Sequence, residues 1–226
     1  MTERFAIYYS PPWDDPLGRL GHSWLGRGPE APDDRPAGLP MAPPDVIEAP
    51  ARYGFHATLK APFELADRAT ADDLLAFAAQ VAKRSAPATI PNGLKVGVLG
   101  QFLALVPAGP ADAVTALSGA MVRAFEPYRA PLGDGDIKRR RLANLTEQQA
   151  VYLYAWGYPY VFEAFRFHMT LSVELTEKDR THWLAALDAA FQPALVRPFV
   201  VDRISVFHEP ARDQPFQELA AFPLGG

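Results

Sequence analysis

The 226-residue chain contains no cysteine, which removes thiol nucleophiles, thiolate metal sites and disulfides from consideration. Positive charge is not in excess either: 22 Lys and Arg stand against 26 Asp and Glu, a formal net charge of −4. Sequence-independent binding of long nucleic acid needs a concentrated basic surface to release counterions, so extended nucleic-acid binding is disfavoured. A small phosphorylated substrate or a short RNA end stays compatible. Long hydrophobic runs are missing as well. No stretch reaches the length of a bilayer span, and Met1-Thr2-Glu3-Arg4-Phe5 lacks a signal peptide's apolar core, so no membrane partner and a cytoplasmic location are expected.

What is present is an ordinary globular balance, 49% hydrophobic and 21% charged, with length enough for a substantial core. Residues 1–226 are read as one two-lobed domain. Arg4 to Ser10 reads as a strand ending at Pro11-Pro12. Seven prolines between Pro29 and Pro50, with few large apolar residues, predict a loop or insertion, either a mobile surface segment or a lid.

Beyond it a pattern occurs twice. Tyr53 to Lys60 is strand-like and closed by Pro62; Thr70-Ala71-Asp72-Asp73 then starts a helix bearing Leu74, Leu75, Phe77, Ala78 and Val81. Two short strands follow, Leu94 to Val98 and Phe102 to Val106, separated at Gly100. In the second half Phe165 to Val173 is strand-like and Thr176-Glu177-Lys178-Asp179 starts a helix through Phe191. Phe199 to Phe207 and Phe216 to Phe222 close the unit. Each unit is β–α–β–β, and an internal duplication is the simplest account. Two further helices lie between the units, Ala111 to Phe125 and one from near Thr146 to Trp156, stopped by Gly157 and Pro159. The expected fold is α+β: two pseudo-symmetric lobes of antiparallel sheet, with outer helices, around a central groove.

Both units carry Phe-His-x-Thr-Leu, at His56-Ala57-Thr58-Leu59 and His168-Met169-Thr170-Leu171. Strand side chains alternate, so each His and its Thr share one face while Ala57, Leu59, Met169 and Leu171 face the core. A given His has roughly a one in two hundred chance of this Thr-Leu context, so two chance matches among five histidines are improbable. Phosphoryl transfer needs an attacking and a leaving oxygen on opposite sides of phosphorus. A neutral imidazole on one side can take a proton while a protonated one on the other gives one, and threonine hydroxyls can donate to the non-bridging oxygens. Nothing in this scheme requires a metal or another cofactor, and two His with two Thr is not a usual metal set.

These motifs resemble the two-histidine phosphoesterase superfamily, marked by paired His-x-Thr/Ser-x motifs on equivalent strands of a two-lobed fold, which includes RNA 2′,3′-cyclic phosphodiesterases of the 2′-5′ RNA ligase type. Within it, the segments Arg4 to Pro12, Arg52 to Phe63 and Trp156 to Leu171 resemble an uncharacterised bacterial family of phosphonate-metabolism proteins. The resemblance implies catalytic roles for His56, Thr58, His168 and Thr170.

Strand parity also puts Lys60 on the His56 face and Arg166 on the His168 face, where either could neutralise phosphate or be an ordinary strand-end charge. Tyr158 and Tyr160 could stack on a base or sugar or simply pack around a turn. Lys138-Arg139-Arg140-Arg141 reads as a solvated face rather than an RNA contact, and Gly133-Asp134-Gly135 before it as a flexible connection. The leading expectation is a metal-independent hydrolase of a cyclic phosphodiester or related small phosphoester, such as a cyclic sugar or nucleoside phosphate. The alternatives are a 2′,3′-cyclic phosphodiesterase on RNA ends and a non-catalytic binder of a phosphorylated ligand.

Overall fold

The structure, a computed structural model, describes residues 3–27, 35–133 and 145–226. Within them the chain runs β1 (Arg4–Tyr9), α1 (Pro16–Trp24), α2 (Pro44–Tyr53), β2 (Ala57–Phe63), α3 (Ala71–Arg84) and β3 (Ala88–Ile90). It continues through β4 (Leu94–Leu99), β5 (Phe102–Pro107), α4 (Asp112–Ala124), α5 (Glu147–Trp156) and β6 (Met169–Thr170). The last elements are α6 (Glu177–Phe191), β7 (Phe199–Val201), β8 (Arg203–Glu209) and β9 (Gln217–Pro223).

The two lobes meet in one seven-stranded antiparallel sheet, in the order β4-β5-β6-β2-β1-β8-β9, while β3 and β7 form a separate pair. The motif strands β2 and β6 are neighbours near its centre. Each repeat's hairpin lies on the other repeat's side: β4–β5 of the first flanks β6, and β8–β9 of the second lies beyond β2 and β1. The helices cross over in the same way, α3 packing on β8 and β9 and α6 on β4 and β5. Residues of both repeats meet in one main hydrophobic core.

Local chemistry explains the elements. Thr70 accepts a hydrogen bond from the Asp73 amide and Asp73 accepts one in return from the Thr70 amide; Thr146 and Gln149 repeat that reciprocal cap. Thr176 accepts from the Asp179 amide. Gly157 ends α5 in the left-handed region at φ 74, and Gly100, at φ 61, turns the β4–β5 hairpin.

Several expectations are corrected. The proline-rich stretch is not all loop, because α2 begins at Pro44, where a helix needs no N–H, and runs through Pro50. Pro50 cannot donate to the Val46 carbonyl, and the Val173 amide does so instead at 2.8 Å, tying α2 to the second motif segment. Residues 28–34, and with them the start of that stretch, lie outside the described residues, as do Lys138 to Arg141, Asp134 and Gly135. Tyr53 ends α2 rather than starting a strand, and Gly54 at φ 80 turns the chain into β2. That strand continues through Pro62 to Phe63, past the end of the two-residue β6, so no neighbour on that side needs a proline N–H. The second motif strand is correspondingly short. Phe199 to Phe207 is two strands in different sheets, broken at Asp202. Helix α1 was not anticipated, although Asp15 caps it with Pro16 at its first position.

Candidate active site

Ala57 pairs with Met169 across the antiparallel β2–β6 contact. That register sets His56 opposite Thr170 and Thr58 opposite His168, the arrangement a local twofold through the Ala57–Met169 pair requires. Alternation does the rest. Ala57, Leu59, Met169 and Leu171 are fully buried, whereas His56, Thr58, His168 and Thr170 are partly exposed on the other face. Across such a pair the two histidines are diagonal neighbours, roughly 7–8 Å apart at the backbone.

The imidazoles are held alike. His56 Nδ1–H donates to the Gly54 carbonyl and His168 Nδ1–H to the Arg166 carbonyl, each at 2.8 Å and each two residues upstream. A carbonyl accepts only, so both rings carry their proton on Nδ1 and leave Nε2 as a lone pair. The Thr58 hydroxyl donates to His56 Nε2 at 3.3 Å. Tyr8, on β1, stacks beneath His56 with centroids 3.8 Å apart, and Phe102 lies 5.7 Å from His168. Burial pushes the His56 pKa down to about 4, with the nearby His168 adding to the shift and the Gly54 bond opposing it. His168 is also lowered by burial, against its bond to Arg166. Near neutral pH both rings are neutral in the free protein.

Two cavities flank the pair. One, of about 340 Å³, is lined by His56, Thr58, Thr170, Tyr8 and Arg4; the other, of about 410 Å³, by Thr58, His168, Arg166 and Phe102. Thr58, Tyr158 and Tyr160 line both, so the cavities join in one groove. The C-terminal end of α2, through Pro50, Tyr53 and Gly54, walls the His56 and Thr170 side. Two supports come from α1. Gly21 packs against the Phe55 ring, and the Trp24 indole donates to the Leu171 carbonyl at 2.7 Å.

The other sequence candidates divide. Arg166 lines the His168 cavity, its guanidinium donating to the Glu163 and Phe165 carbonyls at 2.9 and 2.8 Å. Tyr158 lies where the cavities meet, in edge contact with Tyr160. Lys60 is not with them. Register shifts in the β1–β2 pairing set Tyr8 opposite Thr58 but Ile7 opposite Lys60, so alternation from Thr58 fails at the next step. The Lys60 ammonium is buried and donates to the Val122 carbonyl at 3.1 Å and to Glu126 at 2.9 Å. Arg4, Tyr8, Tyr53 and Phe102 were missed, although the β1 alternation Arg4-x-Ala6-x-Tyr8 carries the first two to one face. Among the described residues, no three His, Asp or Glu side chains form a group that could hold a metal ion.

A family model described as a protein of unknown function, DUF1045, matches residues 58–217, most of the chain. The chain belongs to this DUF1045 family. The match takes in Thr58, His168 and Thr170 but starts just past His56 and β1. Two curated relatives, each named Ribose 1,5-bisphosphate phosphokinase PhnN, resemble this DUF1045 chain. The relative from Janthinobacterium sp. (strain Marseille) is 35% identical over 239 residues, covering 99% of this chain and 51% of its own length. The one from Laribacter hongkongensis (strain HLHK9) is 37% identical over 218 residues, covering 95% and 50%. The chain thus spans about half the length of the curated relatives it matches. Among solved structures, TT0787 of Thermus thermophilus overlays with a TM-score of 0.44 at 17% identity, covering 99% of this chain and 98% of its own. LigT of E. coli complexed with 3′-AMP gives a TM-score of 0.44 at 13% identity, covering all of both chains.

Proposed function

We propose that the groove is the active site of a metal-independent phosphoesterase that hydrolyses a cyclic phosphodiester or a related small phosphoester. The observation that carries this reading is the register: each imidazole stands opposite the other motif's threonine, and both Nε2 atoms are left free of protons by matching backbone bonds. Water attacks phosphorus as one neutral imidazole takes its proton at Nε2. The other, protonated at Nε2, gives its proton to the ester oxygen that leaves. A P–O bond to water forms, the P–O bond to the alkoxide breaks, and the pair of rings ends with the same number of protons it began with. Thr58 and Thr170 donate to the non-bridging oxygens as charge builds on them.

The scheme needs one proton on a pair that is neutral in the free protein. The phosphate supplies the driving force, because an anion beside an imidazole favours its charged form. Either ring can serve as base, depending on which way round the substrate lies. A phosphorylated ribose suits the setting: the curated relatives are named for a kinase acting on ribose 1,5-bisphosphate, the sugar phosphate that opening a suitable cyclic phosphate of ribose would yield. Participation in phosphonate breakdown and a cytoplasmic location belong to the same proposal.

The test is a screen of chelator-treated protein against cyclic phosphates of nucleosides, sugars and dinucleotides. Turnover that survives chelation and is lost in both His56→Ala and His168→Ala supports the proposal. Turnover that falls less than about tenfold in either folded variant, or that depends on added metal, overturns it.

A further inference from the structure

We infer that the groove contains a second anion subsite centred on Arg4, so that the preferred substrate carries a second phosphate besides the one under attack. This rests on the phosphoesterase reading, and it narrows the substrate to small molecules with two phosphate groups.

Arg4 lines the cavity of His56 and Thr58, and it also lines an adjoining cleft with Lys60, Arg129 and Arg212. Its side chain is almost wholly buried, and its Nε donates to Glu209 at 2.5 Å. Glu209 is fully buried and accepts from Arg52 as well. Burial raises the Glu209 pKa, but the two arginines outweigh it and hold the carboxyl below its ordinary value. The guanidinium is therefore fixed at its Nε edge, while its terminal nitrogens have no hydrogen-bond partner among the described residues. A planar fork held in place by a buried carboxylate matches the bidentate geometry of a phosphate.

The surrounding charge favours the same ligand. Glu126 is shared by Lys60 and Arg129, and Glu209 by Arg4 and Arg52, so each carboxylate is outnumbered by cations. Arg52 also reaches Asp213, which is largely exposed and screened by water. Glu64 is the acidic residue lining the cleft, and Arg212 pairs with it at 2.9 Å. Spacing fits too. Arg4 and Tyr8, the residue beneath His56, are four positions apart on one strand, about 13 Å along the backbone. Allowing for the arginine side chain, a sugar phosphorylated at both ends spans the interval.

The test compares adenosine 2′,3′-cyclic phosphate with the same compound bearing a 5′-phosphate. Wild type is expected to favour the 5′-phosphorylated compound by about tenfold to a hundredfold in kcat/KM, the size of one or two charge-assisted hydrogen bonds. Arg4→Gln should cut that ratio at least tenfold, Arg4→Lys less, and Arg212→Gln, at a partly exposed arginine, by a smaller factor. A wild-type ratio near one overturns the inference, as does an unchanged ratio in folded Arg4→Gln. If Arg4→Gln does not fold, Arg4→Lys and Arg212→Gln decide it on the same criterion. Absence of turnover on both compounds counts against the phosphoesterase reading instead, and calorimetry with the same pair then decides the subsite. Tighter binding of the 5′-phosphorylated compound, weakened by the arginine variants, supports it; equal binding, or none, overturns it.

Discussion

Ala57 and Met169 face one another across the centre of the sheet, both fully buried, and the two catalytic candidates of each motif flank them on the opposite face. A shift of one residue in this pairing would turn every motif side chain to the wrong partner or the wrong face. The short β6 is pinned from its other side by β5, through the Ala104–Thr170 and Leu105–Met169 pairs.

If the histidines act as one acid–base pair, their losses do not add. His56→Ala and His168→Ala should each lower kcat/KM by about 10²–10⁴, and the double variant by little more than the worse single one. Thr58→Val and Thr170→Val should each cost about 10²-fold, while Thr→Ser at either site recovers most of it. Steady-state kinetics on any substrate found by the screen, with melting curves to confirm folding, gives the comparison. Fully multiplicative losses for the two histidines would contradict a shared proton inventory.

The pH dependence follows from the lowered imidazoles. The active free enzyme carries one proton on the pair, and His56, at about 4, and His168, also lowered, both lose theirs below the ordinary value of about 6.5. Above that range the singly protonated fraction falls tenfold per pH unit, so kcat/KM should peak in mildly acidic solution and decline through pH 7 and 8. A peak above pH 7.5 would refute this assignment.

Stability should respond in the opposite sense. His56 binds a proton less readily when folded than when unfolded, so the fold gains from its neutrality above about pH 6.5 and loses that gain as pH falls towards 4. His22, lowered by burial as well, adds to the trend. Melting temperature should therefore drop from pH 6.5 to 4.5, and less steeply in His56→Gln. The comparison of the two slopes checks the contribution of His56.

The buried ammonium of Lys60 makes an asymmetric prediction. Glu126→Gln removes the carboxylate facing a buried charge and should cost about 3 kcal/mol. Lys60→Met removes the buried charge itself and leaves Glu126 with Arg129, so its cost should be less than half as large. Chemical denaturation of the two variants measures both. Equal costs would mean that Lys60 is not the group whose desolvation matters.

Gly21 links α1 to the site. A Cβ there would lie 2.0 Å from the ring of Phe55, the residue next to His56. Gly21→Ala should destabilise by about 1–3 kcal/mol and lower kcat at the same time, because the ring must move before the methyl fits. Denaturation and kinetics on one preparation test the coupling; a loss of stability with kcat untouched would separate α1 from the site.

How much of this was legible differs by residue. The helix starts at Thr70, Thr146 and Thr176 were readable because a cap depends on residues three apart in the chain. The hairpin at Gly100 was readable for the same local reason. Tyr53 and Lys60 were not. Tyr53 belongs to a helix because Pro50's missing donor is made good by Val173, more than a hundred residues away in the sequence. Lys60 turns from the groove because of irregular pairing with β1.

By itself, then, the sequence determined the repeated succession of motif strand, helix and closing hairpin, though not the short β3 and β7 that pair apart from the main sheet. It also determined the shared face of each His and Thr and the buried positions between them, since strand alternation and capping act over two or three residues. The tertiary structure decided which His faces which Thr, where Lys60 goes, and that Arg4 and Tyr8 reach the groove. Those depend on register between strands distant in the chain, and register is set by the packing of the whole core.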